Sequence, residues 1–359
     1  AERVRASKPD RIAAIAGDLV SAEPVKALKD LMLSLGVASL DCRQDGAKIG
    51  GGPRQGYLFN TTIAGIESAD ALLLVGTNPR WEAPIVNARI RKAWLRNDLK
   101  VMRLGPQVDL TYKVDELGND LADLADIAAG KHRAFEALKN AKHPMLIVGQ
   151  GALARADGAA VLAAAAQTAR DTGMIGPAGE GGWNGFNVLH TAAGRAGALD
   201  LGFLPQKGGR DTNAILDAAS KGEIDVVYLL GADEIDTKKL GKAFVVYHGT
   251  HGDVGAHRAD VILPGAAYTE QNGTYVNTEG RVQQAHRATF PPGDAREDWA
   301  ILRALSDVLG KRLPYDDLAS LRQAMLKDAP HLAETDRAPA NPGADAAIWN
   351  NIGVSGTIA

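Results

Sequence analysis

The sequence predicts an α/β protein of two Rossmann-like parallel-sheet units related by a pseudo-repeat, with a C-terminal helical segment and an extended tail. Three observations carry this. Short apolar runs alternate with helical patterns through most of the chain, as parallel strands joined by right-handed crossovers require. Ala71 to Val75 is uninterruptedly apolar, as in a strand covered on both faces. Strand-like runs that end in a glycine turn recur in the second half.

The elements follow in order. Arg11 to Ala16 reads as a buried strand, and Ser21 as the cap of a helix that accepts Pro24 in its first turn. Val25, Leu28, Met32 and Leu35 share a face of that helix, Gly36 stops it, and Val37 to Leu40 reads as a strand. Lys48 to Arg54 is a Gly/Pro-rich loop. Ala71–Val75 runs into Gly76, Thr77, Asn78 and Pro79. Pro84 opens a helix with Val86, Ile90, Ala93 and Trp94 on one face and Arg89, Lys92 and Arg96 on the other; Lys100 to Leu104 is the next strand. The pattern returns at Met145–Val148 into Gly149, Asp225–Leu230 into Gly231, Phe244–Tyr247 into His248, and Ala259–Leu263 into Pro264. A helix is expected over 294–310, with Asp294 and Glu297 as a capping box. From Ala338 the chain reads as a tail anchored by Trp349. These readings place one unit at 1–135, a second at 136–293, a helical segment at 294–337 and the tail at 338–359.

Composition narrows the function. The chain has 359 residues, 45% hydrophobic and 23% charged, with net charge −3 and 5% aromatic residues. That is globular composition without a basic footprint or stacking platform for nucleic acid. One cysteine, Cys42, allows no intrachain disulfide, fits reducing surroundings, and cannot hold an iron–sulfur cluster by itself. No run reaches the roughly 18–20 apolar residues of a spanning helix. The N-terminus lacks both an apolar signal region and an initiator Met, so the chain reads as a fragment or processed product. No nucleophile elbow, P-loop lysine or H-E-x-x-H pair occurs.

Three stretches resemble a known family. The first runs from Asn60 through Asp70 to Pro79, with Asn87 to Lys92. The second joins Asn187–His190 with Gly197–Gly202. The third, the most specific, comprises His251–Gly255, Ala259–Gly265, Tyr268–Glu270 and Gly273–Arg281. Together they resemble the C-terminal part of the large iron–sulfur subunit of respiratory complex I (NADH:quinone oxidoreductase), itself similar to molybdopterin-dependent oxidoreductases. The resemblance implies [2Fe–2S] and [4Fe–4S] clusters in an N-terminal part absent here, loss of molybdopterin, and no activity in this fragment alone. It implies as partners the other peripheral-arm subunits and the subunit's own cluster-bearing part, with no membrane insertion. The implied place is the cytoplasmic side of a bacterial inner membrane, or the matrix side in a mitochondrion.

Several positions are candidate remnants of a cofactor cleft. Gly76, Thr77 and Asn78, and Gly231 with Asp233, follow strand ends, where open α/β sheets bind ligands; the other reading is a turn needing glycine and a helix cap. Thr274, Asn277, Glu279 and Arg281 lie in a glycine-punctuated loop that approaches the cofactor in active relatives; the other reading is mutual hydrogen bonding in a buried cleft. His251 and Asp253 are further candidates; the other reading there is a polar strand-end loop whose histidines bond to backbone. Cys42 is a candidate remnant metal ligand, or a buried thiol. His248, His251 and Asp253, with His257, have zinc-ligand chemistry without a fixing helix. Gly149 to Ala154 matches G-x-G-x-x-A, but Asp171 stands at the wrong end for a ribose-binding acid, which counts against nicotinamide binding.

Overall fold

The computed structural model describes residues 1–179 and 182–359, apart from the Ala346 side chain. The chain forms two compact units. The first comprises Ala1–Gly46, Ala192–Asn277 and Val282–Arg337; the second comprises Ala47–Thr191, Thr278–Arg281 and Ala338–Ala359. Among the described residues the strands are β1 (Ile12–Ala16), β2 (Ser39–Asp41), β3 (Ala71–Val75), β4 (Lys100–Leu104), β5 (Asp115–Gly118), β6 (Pro144–Gly149), β7 (Phe186–Leu189), β8 (Val226–Leu230), β9 (Phe244–Gly249), β10 (Val261–Pro264), β11 (Gly273–Val276) and β12 (Val282–Ala285).

The first unit holds a five-stranded sheet in the order β10-β9-β8-β1-β2, the second a sheet in the order β5-β4-β3-β6-β7, and every pairing within both is parallel. In each sheet a middle strand starts a series that steps to one edge (β8, β9, β10; β3, β4, β5). The remaining two strands step to the other edge (β1, β2; β6, β7). The pseudo-repeat is therefore a circular permutation: the second unit's last two strands correspond to the first unit's opening two. The hydrogen bonds agree. Gly76 N–H donates to Leu104 O at 2.9 Å, and Gly231 N–H to His248 O at 2.6 Å.

This arrangement corrects the expected boundaries. β1 and β2 belong with β8, some 200 residues later, because β1 pairs along its length with β8, Ile12 to Val226 through Ala16 to Leu230. Residues 47–191 form a unit inserted between β2 and the rest of the first. The helical segment belongs to the first unit and the tail to the second. The expected helix over 294–310 spans Asp298–Val308 with Glu297 at its cap position and no side-chain cap, so the Asp294/Glu297 box does not form. The backbone there is used elsewhere: Arg296 N–H donates to Pro264 O. The strand expected at Val37–Leu40 is Ser39–Asp41. A second helix, Leu318–Asp328, has the capping box, between Asp317 and Ser320.

Each unit has its own core. Ile15, Val227, Leu229 and Val245 from the first sheet pack with Ile215 and Leu216 of helix Thr212–Ser220. Leu72, Leu74, Val101 and Ile147 from the second pack with Val86, Ile90 and Ala93 of helix Pro84–Asn97. Trp349 anchors the tail as expected: it is buried, meets Phe186 edge-on at 5.5 Å, and donates from Nε1 to Gly343 O.

Candidate functional site

In each sheet the strand order reverses beside the middle strand, at β3/β6 and at β8/β1. Such a switch point is where doubly wound sheets open a ligand crevice. In the second unit it is filled by the protein. Gly149 closes β6 so near Gly76 that a Cβ at Gly149 would lie 2.6 Å from Gly76 O, and one at Gly76, whose φ is +54°, would lie 2.7 Å from Ala152 Cβ. Beyond Gly76 two donors that could hold a phosphate are taken. The Thr77 hydroxyl donates to Glu82 Oε2 and the Asn78 N–H to Glu82 Oε1, both at 2.7 Å. The Glu82 carboxylate thus sits where the backbone offers an anion site. Asn78 is the start of the four-residue helix Pro79–Glu82 but caps it with no side-chain bond.

The first unit repeats this device with other atoms. A Cβ at Gly17, just past β1, would lie 1.7 Å from Gly231 O, and Gly231 has φ +56°. Asp233 hydrogen-bonds Asp253, and its carboxyl is pushed up to about 6, by burial first and by the Asp253 and Glu234 charges next. Asp253 also accepts from the Tyr247 hydroxyl at 2.7 Å and caps helix Val254–Arg258. Two carboxyls in contact share a proton more readily than they share two negative charges. A raised folded pKa means that the folded state binds this proton more tightly. The resulting stabilisation is complete below the ordinary aspartate pKa near 4 and is lost as pH rises to about 6. Asp233→Asn should therefore be more stable than the parent above pH 6, by about 1 kcal/mol once solvent screening of this part-exposed pair is allowed for. The gap should close near pH 4. Urea melts of both proteins at the two pH values measure it.

At the β1 and β2 ends of the same sheet stands Arg195, 1% exposed. Its guanidinium bonds Asp18 at 3.0 Å and Asp45 at 2.7 Å, the residues just past β1 and a short way past β2. Cys42 lies nearby and is buried. Burial pushes its thiol up, and the Asp41 charge adds to the effect. A thiol held protonated is a poor metal ligand. Asp41 is engaged with Arg43 at 2.7 Å and with the Thr212 N–H. Among the described residues no group of three His, Cys, Asp or Glu side chains is placed to hold a metal.

The structure therefore brings Gly76, Thr77 and Asn78 together in one unit and Gly231, Asp233 and Asp253 together in the other. His251 is exposed on the loop, with Nδ1 2.8 Å from the Thr250 hydroxyl. His248 points inward, with Nδ1 2.9 Å from the Tyr228 hydroxyl and Nε2 3.1 Å from Asp298. Glu279 accepts from Ile63 N–H and from Arg281 Nε, each at 2.8 Å, the mutual satisfaction expected for those two. Asn277 directly follows β11 and ends the first unit's share of that loop. Asp171 ends helix Gly158–Asp171 rather than a strand. Sequence reasoning missed Glu82, Arg195, Asp18 and Asp45. For Glu82 a signal existed, an acid in the first turn after Thr77-Asn78-Pro79. For the other three the partners lie about 150 residues or more apart, and no local pattern marks them.

Two doubly wound parallel sheets with glycine-lined switch points define a class, and the family model for molybdopterin oxidoreductases matches residues 1–308; the chain belongs to that family. Within it, the chain is a homologue of the 75/78 kDa iron–sulfur subunit of NADH:ubiquinone oxidoreductase. It is 48% identical over 326 residues to the mitochondrial 78 kDa subunit of NADH-ubiquinone oxidoreductase of Candida albicans, covering 90% of this chain and 43% of that one. It is 45% identical over 342 residues to mitochondrial NADH dehydrogenase [ubiquinone] iron-sulfur protein 1 of Solanum tuberosum, covering 95% and 44%. The chain thus spans less than half the length of these relatives. Among solved structures, the formyltransferase/hydrolase complex of Methylorubrum extorquens aligns with TM-score 0.61 at 19% identity, covering 86% of this chain and 94% of that one. Acetylene hydratase of Pelobacter acetylenicus aligns at 0.54 and 12% identity, covering 94% and 60%. At these identities the likeness is one of fold.

Proposed function

We propose that this chain is the C-terminal, cofactor-free part of the large iron–sulfur subunit of an NADH:quinone oxidoreductase, and that its role is architectural. It packs against neighbouring peripheral-arm subunits and supports the part of its own subunit that carries the [2Fe–2S] and [4Fe–4S] clusters. The observation that carries the loss of the pterin cofactor is Glu82. A dinucleotide tail needs backbone donors at the strand ends for its phosphates. Here a carboxylate of the chain already holds two such donors, and an anion entering beside it would meet like charge. The first unit supports the same reading, with Asp233, Glu234 and Asp253 at the equivalent turn and a protonated Cys42 behind Arg195. The residues present do not fit a pterin dinucleotide or its metal.

Electron transfer needs a carrier, and one cysteine in 359 residues builds no cluster without ligands from elsewhere. The redox path of the whole subunit therefore runs on other polypeptide. Among the described residues no helix is long and apolar enough to cross a membrane; the attachment proposed is peripheral, through partner subunits on the matrix or cytoplasmic face. Two measurements test the reading. The purified chain should contain no stoichiometric molybdenum and no pterin fluorescence after oxidation, and should not turn over NADH. Cells making the subunit without this segment should lose the assembled complex on native gels while still making the cluster-bearing part. Bound molybdenum or pterin, or an intact and active complex without the segment, would sink the proposal.

A further inference from the structure

Helix Pro84–Asn97 of the second unit buries Val86, Asn87, Ile90 and Ala93. Its opposite face is open to solvent: Ile85 is 73% exposed and Leu95 58%, with Ala88 and Lys92 exposed between them. These four residues fall at i, i+3, i+7 and i+10, the spacing of a and d positions over two heptads. With Ile85 at a, the flanking e and g positions are Arg89, Arg91 and Arg96, and Lys92 is itself at a. The helix carries no acid. Glu67 pairs with Arg89 at 2.5 Å and Lys92 at 2.7 Å, and it is the only carboxylate ion-paired to these four cations among the described residues. A basic face this concentrated stands out on a chain whose net charge is −3.

We propose that this face is the seam for a partner α-helix with an apolar a/d row, acidic e and g positions, and an acid opposite Lys92. Apolar side chains of this size left in water at heptad spacing gain by meeting a second seam, while flanking charges decide which seam. A second copy of this chain is the wrong partner. Either orientation would set arginine against arginine, and like charges at those positions destabilise pairing. The seam is a surface that an assembly role would use, but it stands on the helix alone, so its test and that of the architectural role fail separately.

The probe is a synthetic helix of about three heptads with Ile and Leu at a and d and Glu at e and g. A twin peptide carries Lys at e and g. Fluorescence anisotropy of each labelled peptide is titrated with the full chain. The Glu peptide should bind saturably and at least about 10-fold tighter than the Lys peptide, and the advantage should fall with added salt. The double variant Arg91→Glu with Arg96→Glu should reverse the preference. Leu95→Asp should weaken the Glu peptide by about 10-fold or more. All three changed residues are exposed, so melting temperatures should match the parent and keep folding out of the result. No binding, equal binding of the two peptides, or a preference unmoved by the charge reversal would overturn the proposal. So would binding of phosphatidylserine vesicles in place of the peptide, since that would make the face a lipid surface.

Discussion

Gly17→Ala should leave little or no folded protein. The added methyl would stand 1.7 Å from Gly231 O, well inside any van der Waals contact, and neither backbone is free to retreat. Gly17 N–H donates to Leu230 O at 2.8 Å, and β1 and β8 are paired in register from Ile12 to Ala16. Overpacking of an ordinary core costs about 1–3 kcal/mol. Here the clash is with backbone inside the sheet, so we expect a loss of about 4 kcal/mol or more, a large share of a domain's stability. Gly252→Ala is the control: no heavy atom lies within 4 Å of its added Cβ, and the change should stay within about 0.5 kcal/mol. Urea denaturation and soluble yield of the two variants measure the contrast. If Gly17→Ala melts with the parent, the switch point is not as tightly closed as described.

That closure also shows what the sequence could and could not disclose. β3 and β4 were legible residue for residue: β3 because a strand covered on both faces is apolar throughout, and β4 because Val101, Met102 and Leu104 run into the Gly105-Pro106 stop despite Lys100 and Arg103. β5 was not, since Asp115, Glu116 and Gly118 carry no buried alternation. Gly76, Gly149 and Gly231 were legible as turns, but their purpose was not, and Gly17 carried no signal that was read. Gly17 and Gly149 are needed because another backbone passes within contact, and that neighbour comes from a strand chosen by long-range pairing. The circular permutation was hidden for the same reason: alternation of strand and helix fixes the fold class but says nothing of which strand joins which sheet. Cys42 illustrates a different limit. The family resemblance implied a remnant ligand just after a strand, while its chemistry is set by burial and by Asp41, which only the folded chain supplies.

Arg195 is where the same limit has the largest energetic consequence after Gly17. Nothing in the run Gly194–Gly197 distinguishes this arginine from a solvated one. Yet it is almost wholly buried and ion-pairs with both Asp18 and Asp45. Arg195→Met keeps most of the volume and removes the charge and its donors. Two carboxylates at the β1 and β2 ends would then lose the cation they share. Breaking a buried pair from one side costs about 3–5 kcal/mol, mainly through the charge left behind; since Asp45 is partly solvated, about 3 kcal/mol is the expectation for urea unfolding. The explanation makes a further demand. If the penalty is uncompensated charge, adding Asp18→Asn and Asp45→Asn to Arg195→Met should recover at least half of the loss, because neutral amides of the same shape need no cation. If it is lost packing, the triple variant should be no better than the single one. That comparison decides whether the β1 and β2 ends of the first sheet are held by an ion pair network or only by the bulk of its side chains.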